Sequence, residues 1–384
     1  MSDDHAHEGS AAIDLSRRKR AASARERDAS RRPARTGRHG VARRFARHPL
    51  ARAGMLMFAC VAMCAVFADA LASDLPLACR WHGTVYLAPW ITRPTALGQA
   101  GCASLRATQW RGDWLVAPLV EHGPRMTDSS IGPLARPGTP GHPLGTDALG
   151  RDVFARLVHG ARTTLTVGIG ATTLLVALGV GLGAIAGFAG GAIDGIVARA
   201  VEALTAIPSL VLAIVVSGLH PSSVTLFWTL GLTRWTELAR VVRAEVISTE
   251  RTDFVLATRA LGASPVRVFL SHILPNALSS AIVAAAFGVA SFVAAEASVD
   301  FLLGLRAASD AAPSWAEMMA EARGHPRAWW LVALPAGSLL TVLVSFHLVG
   351  EAARSVLDPG LGGHGEGSSG RARGRGRRGT RRVG

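Results

Sequence analysis

Apolar residues in this chain fall into long runs separated by short charged stretches. Ala53–Leu71, Thr164–Ala186, Val201–Leu219, Val224–Val242, Ala277–Leu303 and Trp329–Leu348 each read as one helix. At about 1.5 Å per residue such runs cross roughly 30 Å of hydrocarbon. The pattern predicts an all-α polytopic membrane protein with about six transmembrane helices. Within the second run Gly179, Gly183 and Gly187 recur once per turn, a small-residue stripe that lets another helix approach closely. A Gly190-Gly191 turn should follow. Pro208 interrupts the third run and predicts a kink, either a packing detail or a bend lining a pathway.

The polar intervals differ in kind. Residues 1–50 are Arg-rich, poor in large apolar side chains, and expected to be an unstructured basic tail, as are residues 359–384. Residues 51–71 then form the first span. Residues 72–160 carry Pro and Gly punctuation, Trp81, Trp90, Trp110 and Trp114, and a strand-like run at Gly83–Leu87, so a small folded lobe ending in a surface helix is expected. Thr146 or Asp147 should cap that helix, which carries Val153, Phe154, Leu157 and Val158 on one side. Asp147, Arg151 and Asp152 read as a structural ion-pair group, with no nucleophile or metal-ligand cluster beside them. Cys79 and Cys102 are the lobe's two cysteines. An oxidising compartment would permit a disulfide between them, and the sequence leaves open whether they approach each other. Cys60 and Cys64 lie one turn apart in the first span and read as small core-like thiols.

Composition narrows the function. The 384 residues carry a net charge of +14, which alone would suggest nucleic acid. The charge instead crowds into Arg17–Arg52, Arg240–Arg267 and Arg371–Arg382, where a positive-inside membrane protein places its Arg. The expected partner is therefore the lipid membrane and not nucleic acid, with both termini cytoplasmic. Trp315, Trp329 and Trp330 fit an aromatic belt at the outer face. Lys19 is the chain's sole Lys and follows no Gly-rich turn, so the chain lacks the P-loop of an ATPase. No metal site and no bound cofactor are expected.

The stretch Asp253–Asn276, DFVLATRALGASPVRVFLSHILPN, carries Asp253, Arg259, Arg267 and His272 between two apolar runs. Its local signals give two short helices with a bend. Thr252 or Asp253 caps the first and Gly262 ends it in a left-handed residue. Ser264 caps the second, with Pro265 at its first position, and Leu274-Pro275 closes the segment. Ala257, Ala260 and Leu261 share one face of the first helix.

This stretch resembles the EAA loop of binding-protein-dependent ABC transporter permeases, with Ala257, Gly262, His272, Ile273, Leu274, Pro275 and Asn276 matching the peptide and nickel branch. Leu256 stands where that family usually has Glu, and Thr258 where it has the second Ala. His142–Arg162 is similar to the Gly-Thr-Asp-x-x-Gly-Arg-Asp segment of subunit-C permeases. AAEASVDFLLGL and PSWAEMM match further family segments, with Asp300 replacing a usual Ser. The resemblance implies a type I importer permease fold, with residues 161–358 as the five-helix core, a coupling loop at 250–275, and a periplasmic lobe between helices 1 and 2. It implies docking of the ATPase by Leu256, Ala257, Thr258, Arg259, Ala260, Gly262, Ala263, Arg267 and His272. Pro208, Glu296 and Asp300 are expected to face the translocation pathway or the subunit interface. The implied partners are a second homologous permease, two ATPase domains carrying ATP and Mg, and a periplasmic substrate-binding protein, all at a bacterial inner membrane.

The substrate implied is a di- or oligopeptide, with nickel complexes or microcin-type peptides as alternatives within the family. Two other classes compete. A proton-coupled secondary transporter would use Glu296 and Asp300, but leaves the charged elbow unexplained. An intramembrane protease would need a partner for Ser291 or Ser338, and no His stands at a suggestive spacing.

Overall fold

The computed structural model describes residues 38–92, 94, 97, 101–107, 113–304 and 312–357. Residues 1–37 of the first expected tail, the whole of the 359–384 tail and Trp110 lie outside these. The chain divides into two units, Met1–Ala46 and Arg47–Gly384. The described part of the first belongs to helix α1, Arg38–Arg47, whose last residue opens the second unit and which lies within the tail where no order was expected.

The second unit opens with α2, Pro49–Val66, which starts on Pro49 where the missing N–H costs nothing. The chain breaks at Phe67 and resumes as α3, Ala68–Leu71, so the first span ends earlier than its apolar run. The lobe follows with β1 Ala78–Trp81, β2 Thr84–Leu87, α4 Pro89–Thr92, α5 Cys102–Ala107 and β3 Trp114–Val116. Its sheet is antiparallel in the order β2-β1-β3, with Ala78 opposite Leu87 on one side and Val116 on the other. Cys79, Leu97 and Leu105 form its small core. Cys79 and Cys102 are both buried free thiols, so the disulfide left open by the sequence is not formed here.

The helical core is α6 Val153–Ala189, α7 Gly191–Thr205, α8 Ser209–Leu219, α9 Ser223–Glu250, α10 Asp253–Ala260, α11 Pro265–Val268, a π-turn at Phe269–Ile273, α12 Leu274–Leu303, α13 Trp315–Ala322 and α14 Trp330–Leu357. The expected surface helix and second span are one element, α6. It is capped by Asp152, whose carboxylate accepts from Ala155 N–H at 2.7 Å, and not by Thr146 or Asp147. Among the described residues α2, α6, Pro265–Leu303 and α14 are long and apolar enough to cross a membrane. A fifth crossing results if α7 and α8, bent by 68° at the Pro208 break, count as one. The remaining expected span, α9, has 28 residues but carries Arg234, Glu237, Arg240, Arg243 and Glu245.

α6 and α9 form the most extensive helix contact. The glycine stripe makes it possible: a Cβ on Gly183 would sit 2.5 Å from the Ala239 carbonyl oxygen, and Gly179 and Gly187 press on Leu238 and Val246. α2 lies against α14, and α12 against α6 and α14.

A charged cluster ties the head of α6 to α13. Arg156 is fully buried, yet donates to Asp147, to Glu317 at 2.8 Å and to Glu321 at 2.7 and 2.9 Å. Arg151 joins it through Asp147 at 2.7 Å and Glu321 at 2.6 Å. Charges this deep persist only when paired and hydrogen-bonded. The ion-pair reading of Asp147 and Arg151 therefore agrees with the structure, with Arg156 at the centre. Burial pushes the Glu317 carboxyl up, Arg156 opposes that, and Glu321 adds to it.

The tryptophans depart from a belt. Trp315 is buried and donates to the Leu157 carbonyl at 2.8 Å, and Trp330 is buried and donates to that of Thr146 at 3.2 Å. Trp329 alone of the three is exposed. Both buried indoles satisfy their N–H inside the protein, which an interfacial ring does with water or headgroups.

Candidate functional site

The elbow between α9 and α12 forms as its local sequence dictates. Thr252 holds the N-cap position of α10, but its hydroxyl bonds the Thr249 carbonyl at 2.5 Å instead of capping. At the other end Gly262 has φ +87. Gly262 N–H reaches Arg259 O at 2.9 Å and Ala263 N–H reaches Thr258 O at 3.3 Å. These two bonds are the Schellman pattern, which satisfies the last carbonyls of a helix and turns the chain through a left-handed residue. Ser264 then caps α11, accepting from Arg267 N–H at 3.4 Å, with Pro265 at its start.

Leu274-Pro275 does not close the segment. Leu274 N–H bonds back to Phe269 O in a π-turn, and Pro275 sits in the first turn of α12. A π-turn adds one residue to the helical ring, so the chain accommodates the missing proline N–H without a break. Pro265 to Leu303 is consequently one helical run of 39 residues.

One side of the elbow is anchored and the other is free. Val255, Val268 and Ile273 are fully buried in the main core, and the Phe269 ring lies 4.5 Å from Phe188 on α6. Arg259 pairs with Glu250 at 2.5 Å, and Asn276 donates to Glu245 at 3.0 Å and Thr249 at 3.1 Å. The opposite side exposes Phe254, Leu256, Val266 and Leu270 by about half and Leu261 by 89%. Ala257, Ala260 and Gly262 are exposed beside them, as are Arg267 and His272, while Thr258, Arg259 and Ala263 are half-buried. Each large apolar side chain is worth about 1.5–3 kcal/mol when fully removed from water. Such a concentration on a rigid element marks an interaction surface.

The residues expected at a pathway separate. Pro208 is exposed at the bend. Glu296 and Asp300 are not. Glu296 is fully buried, with its carboxylate 3.4 Å from the Thr164 hydroxyl on α6, and Asp300 accepts from the Ser314 hydroxyl at 2.8 Å. Both acids point into this chain's own bundle.

Two polar groups escaped sequence reading. On α9 and α12, Arg234 donates to Ser291 at 2.6 Å and its guanidinium lies 5.1 Å over the Phe292 ring. It pairs with Glu237, whose side chain is more than half exposed, at 3.3 Å. These groups line an opening of about 350 Å³. The second group surrounds Asp152, where no metal-ligating neighbour was expected: His122 and His142 both converge there. Spacing hid each set, because Arg234 and Ser291 are 57 positions apart and His122 carries no local motif.

Several apolar helices around a glycine-packed interface, with an elbow exposing apolar side chains between two of them, define a multi-pass membrane protein. Comparison with known proteins identifies the class further. Residues 179–361 match the family described as "Binding-protein-dependent transport system inner membrane component". The dipeptide transport system permease protein DppC of Alkalihalophilus pseudofirmus is 37% identical over 221 residues, 57% of this chain and 72% of the relative. The oligopeptide transport system permease protein OppC of Bacillus subtilis is 35% identical over 230 residues, 59% of this chain and 74% of the relative. The di/tripeptide transport system permease protein DppC of Pseudomonas aeruginosa is 34% identical over 221 residues, 57% and 72% respectively. The chain belongs to this family of inner-membrane transport components, and its helical architecture agrees with the type I importer permease fold. As a family member it works together with other components of a transport system.

Proposed function

We propose that this chain is one of two permease subunits of an ATP-driven importer for di- or oligopeptides. The observation that carries the reading is the elbow: a Schellman-turned helix pair, anchored by Val255, Val268 and Ile273, with its apolar side open to a partner. The relatives' peptide substrates support the substrate class. In this reading two cytoplasmic ATPase domains bind ATP and Mg, and one docks on Leu256, Ala257, Leu261 and Val266. A second homologous permease completes the pathway, and a periplasmic binding protein delivers the peptide. The chain itself hydrolyses no ATP, and its ends lie in the cytoplasm with residues 72–160 outside. Arg234 and Glu237 offer one charge of each sign to the two termini of a peptide, on the same subunit as the exposed bend at Pro208. Closure of the ATPase pair displaces the elbow, and the helices joined to it rock to open the cavity on alternate sides.

The test is purification of this chain from its native membrane in mild detergent, followed by mass spectrometry, for the natural sequence and for Gly262→Pro. Proline cannot adopt φ +87 and removes the Gly262 N–H bond to Arg259. The natural chain is expected to bring down an ATPase, a second multi-span subunit and a binding protein, and Gly262→Pro to lose the ATPase while keeping the second subunit. Recovery of the natural chain alone, or an ATPase retained by Gly262→Pro, refutes the assignment.

A further inference from the structure

The connection between β3 and the head of α6 folds back on itself and brings two imidazoles and two carboxylates together. His142 Nε2 lies 3.3 Å from Asp128 Oδ2, and His122 Nε2 lies 3.5 Å from the same oxygen. The two imidazole rings are 4.3 Å apart. On its other side His142 Nδ1 lies 2.7 Å from Asp152 Oδ2. His142 and Asp152 are buried, while His122 and Asp128 keep 16% and 20% side-chain exposure, enough for an ion to enter.

As hydrogen bonds the contacts to Asp128 are long, since N–H···O bonds cluster at about 2.7–3.2 Å. The two edges at Asp128 Oδ2, 3.3 and 3.5 Å, are those of a coordination tetrahedron, and ligand atoms of His122, His142 and Asp152 lie within 4.8 Å of one another. A zinc-sized ion about 2.0–2.1 Å from each ligand atom sets ligand–ligand edges of roughly 3.3–3.5 Å. The surroundings are arranged for this. Asp128 Oδ1 is occupied by the backbone N–H and hydroxyl of Ser130, at 2.8 and 2.6 Å, which leaves Oδ2 facing the two rings. Asp152 accepts from His142 Nδ1–H, so the lone pair of Nε2 points at the site, the carboxylate–histidine arrangement that orients metal-bound imidazoles. His122 Nδ1 is buried with no hydrogen-bond partner among the described residues, so its ring is directed by nothing except this cluster.

We propose that His122 Nε2, His142 Nε2 and Asp128 Oδ2 form a three-ligand site for a divalent transition cation of the zinc class, with Asp152 as the residue that orients His142. Two imidazoles and one carboxylate favour zinc, cobalt, nickel or copper over the oxygen-seeking calcium and magnesium. The fourth position is left to water. Because Asp152 also caps α6, the ion clamps the loop at His122–Asp128 to the start of a membrane helix.

The test uses the full chain in detergent, without a histidine tag and stripped by a chelator, titrated with Co²⁺ as the probe. The natural chain should bind one Co²⁺ with the intense visible absorption of four-coordinate cobalt. His122→Ala should lose the band and at least about 100-fold in affinity, a ligand counting for no less than its outer partners. Its stripped form should melt as the stripped natural chain does. Asp128→Asn, which preserves the shape of that turn, should weaken binding likewise if His122→Ala folds poorly. Cys79→Ser/Cys102→Ser should leave the band in place. A natural chain with no band, or a band that survives both His122→Ala and Asp128→Asn, overturns the proposal.

Discussion

Replacing Arg156 by Met keeps the length and much of the volume of the side chain and deletes its charge. In the folded protein Asp147, Glu317 and Glu321 face the two guanidiniums of Arg151 and Arg156. The variant leaves three carboxylates facing Arg151 alone, and Glu317 loses its direct partner. Removing one member of a buried pair costs about 3–5 kcal/mol. Arg151 stays within 2.7 Å of Asp147 and 2.6 Å of Glu321, which places the loss near the lower bound, about 3 kcal/mol. That predicts a Tm lower by about 4 °C for a chain of 384 residues. The loss should depend on pH in a defined sense. Burial already lifts the Glu317 carboxyl above the ordinary glutamate range, and removing Arg156 lifts it further. The folded state then holds the proton more tightly than the unfolded chain, so stability falls as pH rises from the ordinary glutamate range through the raised value. The deficit of Arg156→Met should therefore be larger at pH 7.5 than at pH 5.5. Intrinsic tryptophan fluorescence in detergent reads it locally, because Trp330 donates to Thr146 beside the cluster and Trp315 to Leu157. Adding Glu321→Gln should recover part of the loss. A Tm within about 1 °C of the natural chain at pH 7.5, or a deficit that grows on acidification, refutes the reasoning.

Two further predictions concern packing and thiols. Gly183→Ala places a Cβ 2.5 Å from the Ala239 oxygen and 2.9 Å from its Cα, both backbone, and should cost about 1–3 kcal/mol in thermal melting. Gly181→Ala on the same helix meets open space and should be neutral or slightly stabilising, so equal effects at the two sites would dismiss the close approach of α6 and α9. Burial pushes the Cys102 thiol up to about 12, Glu121 and Asp74 adding to it, and burial also raises Cys79. Maleimide at pH 8 should therefore spare both until the chain is denatured, after which both label without reductant. Labelling that appears only after reduction would mean a disulfide.

What the sequence made legible is what short-range chemistry decides. Gly262 and Ser264-Pro265 set the bend of the elbow through backbone preferences that hold wherever those residues fall. The glycine stripe at Gly179, Gly183 and Gly187 likewise announced a close helix contact, and the break at Pro208 fell where the ring forces it. Pro275 shows where such a rule yields: a π-turn one residue earlier in the ladder absorbs the proline, and the expected boundary vanishes. Glu296 misled for another reason. A carboxylate in an apolar run is costly facing lipid, but the run does not say whether the relief comes from water, a partner subunit or Thr164 on a neighbouring helix. Arg156 and Arg234 were missed because the partners that decide their surroundings lie 57 to 165 positions along the chain, and a long-range partner leaves no periodic or local sign. His122 was missed because its distances along the chain to Asp128 and His142 match no helical, strand or ligand-motif spacing.

The Arg156 cluster also sets an order of events in biosynthesis. Glu317 and Glu321 are made 161 and 165 residues after Arg156. At about 5–20 residues per second, that is roughly ten to thirty seconds of translation. Through that interval the growing chain offers Arg156 the carboxylate of Asp147, which Arg151 shares. The head of α6 therefore stays unlocked until α13 arrives. A chain cut short before α13 leaves two guanidiniums, Arg151 and Arg156, facing the one carboxylate of Asp147 at the head of a membrane helix.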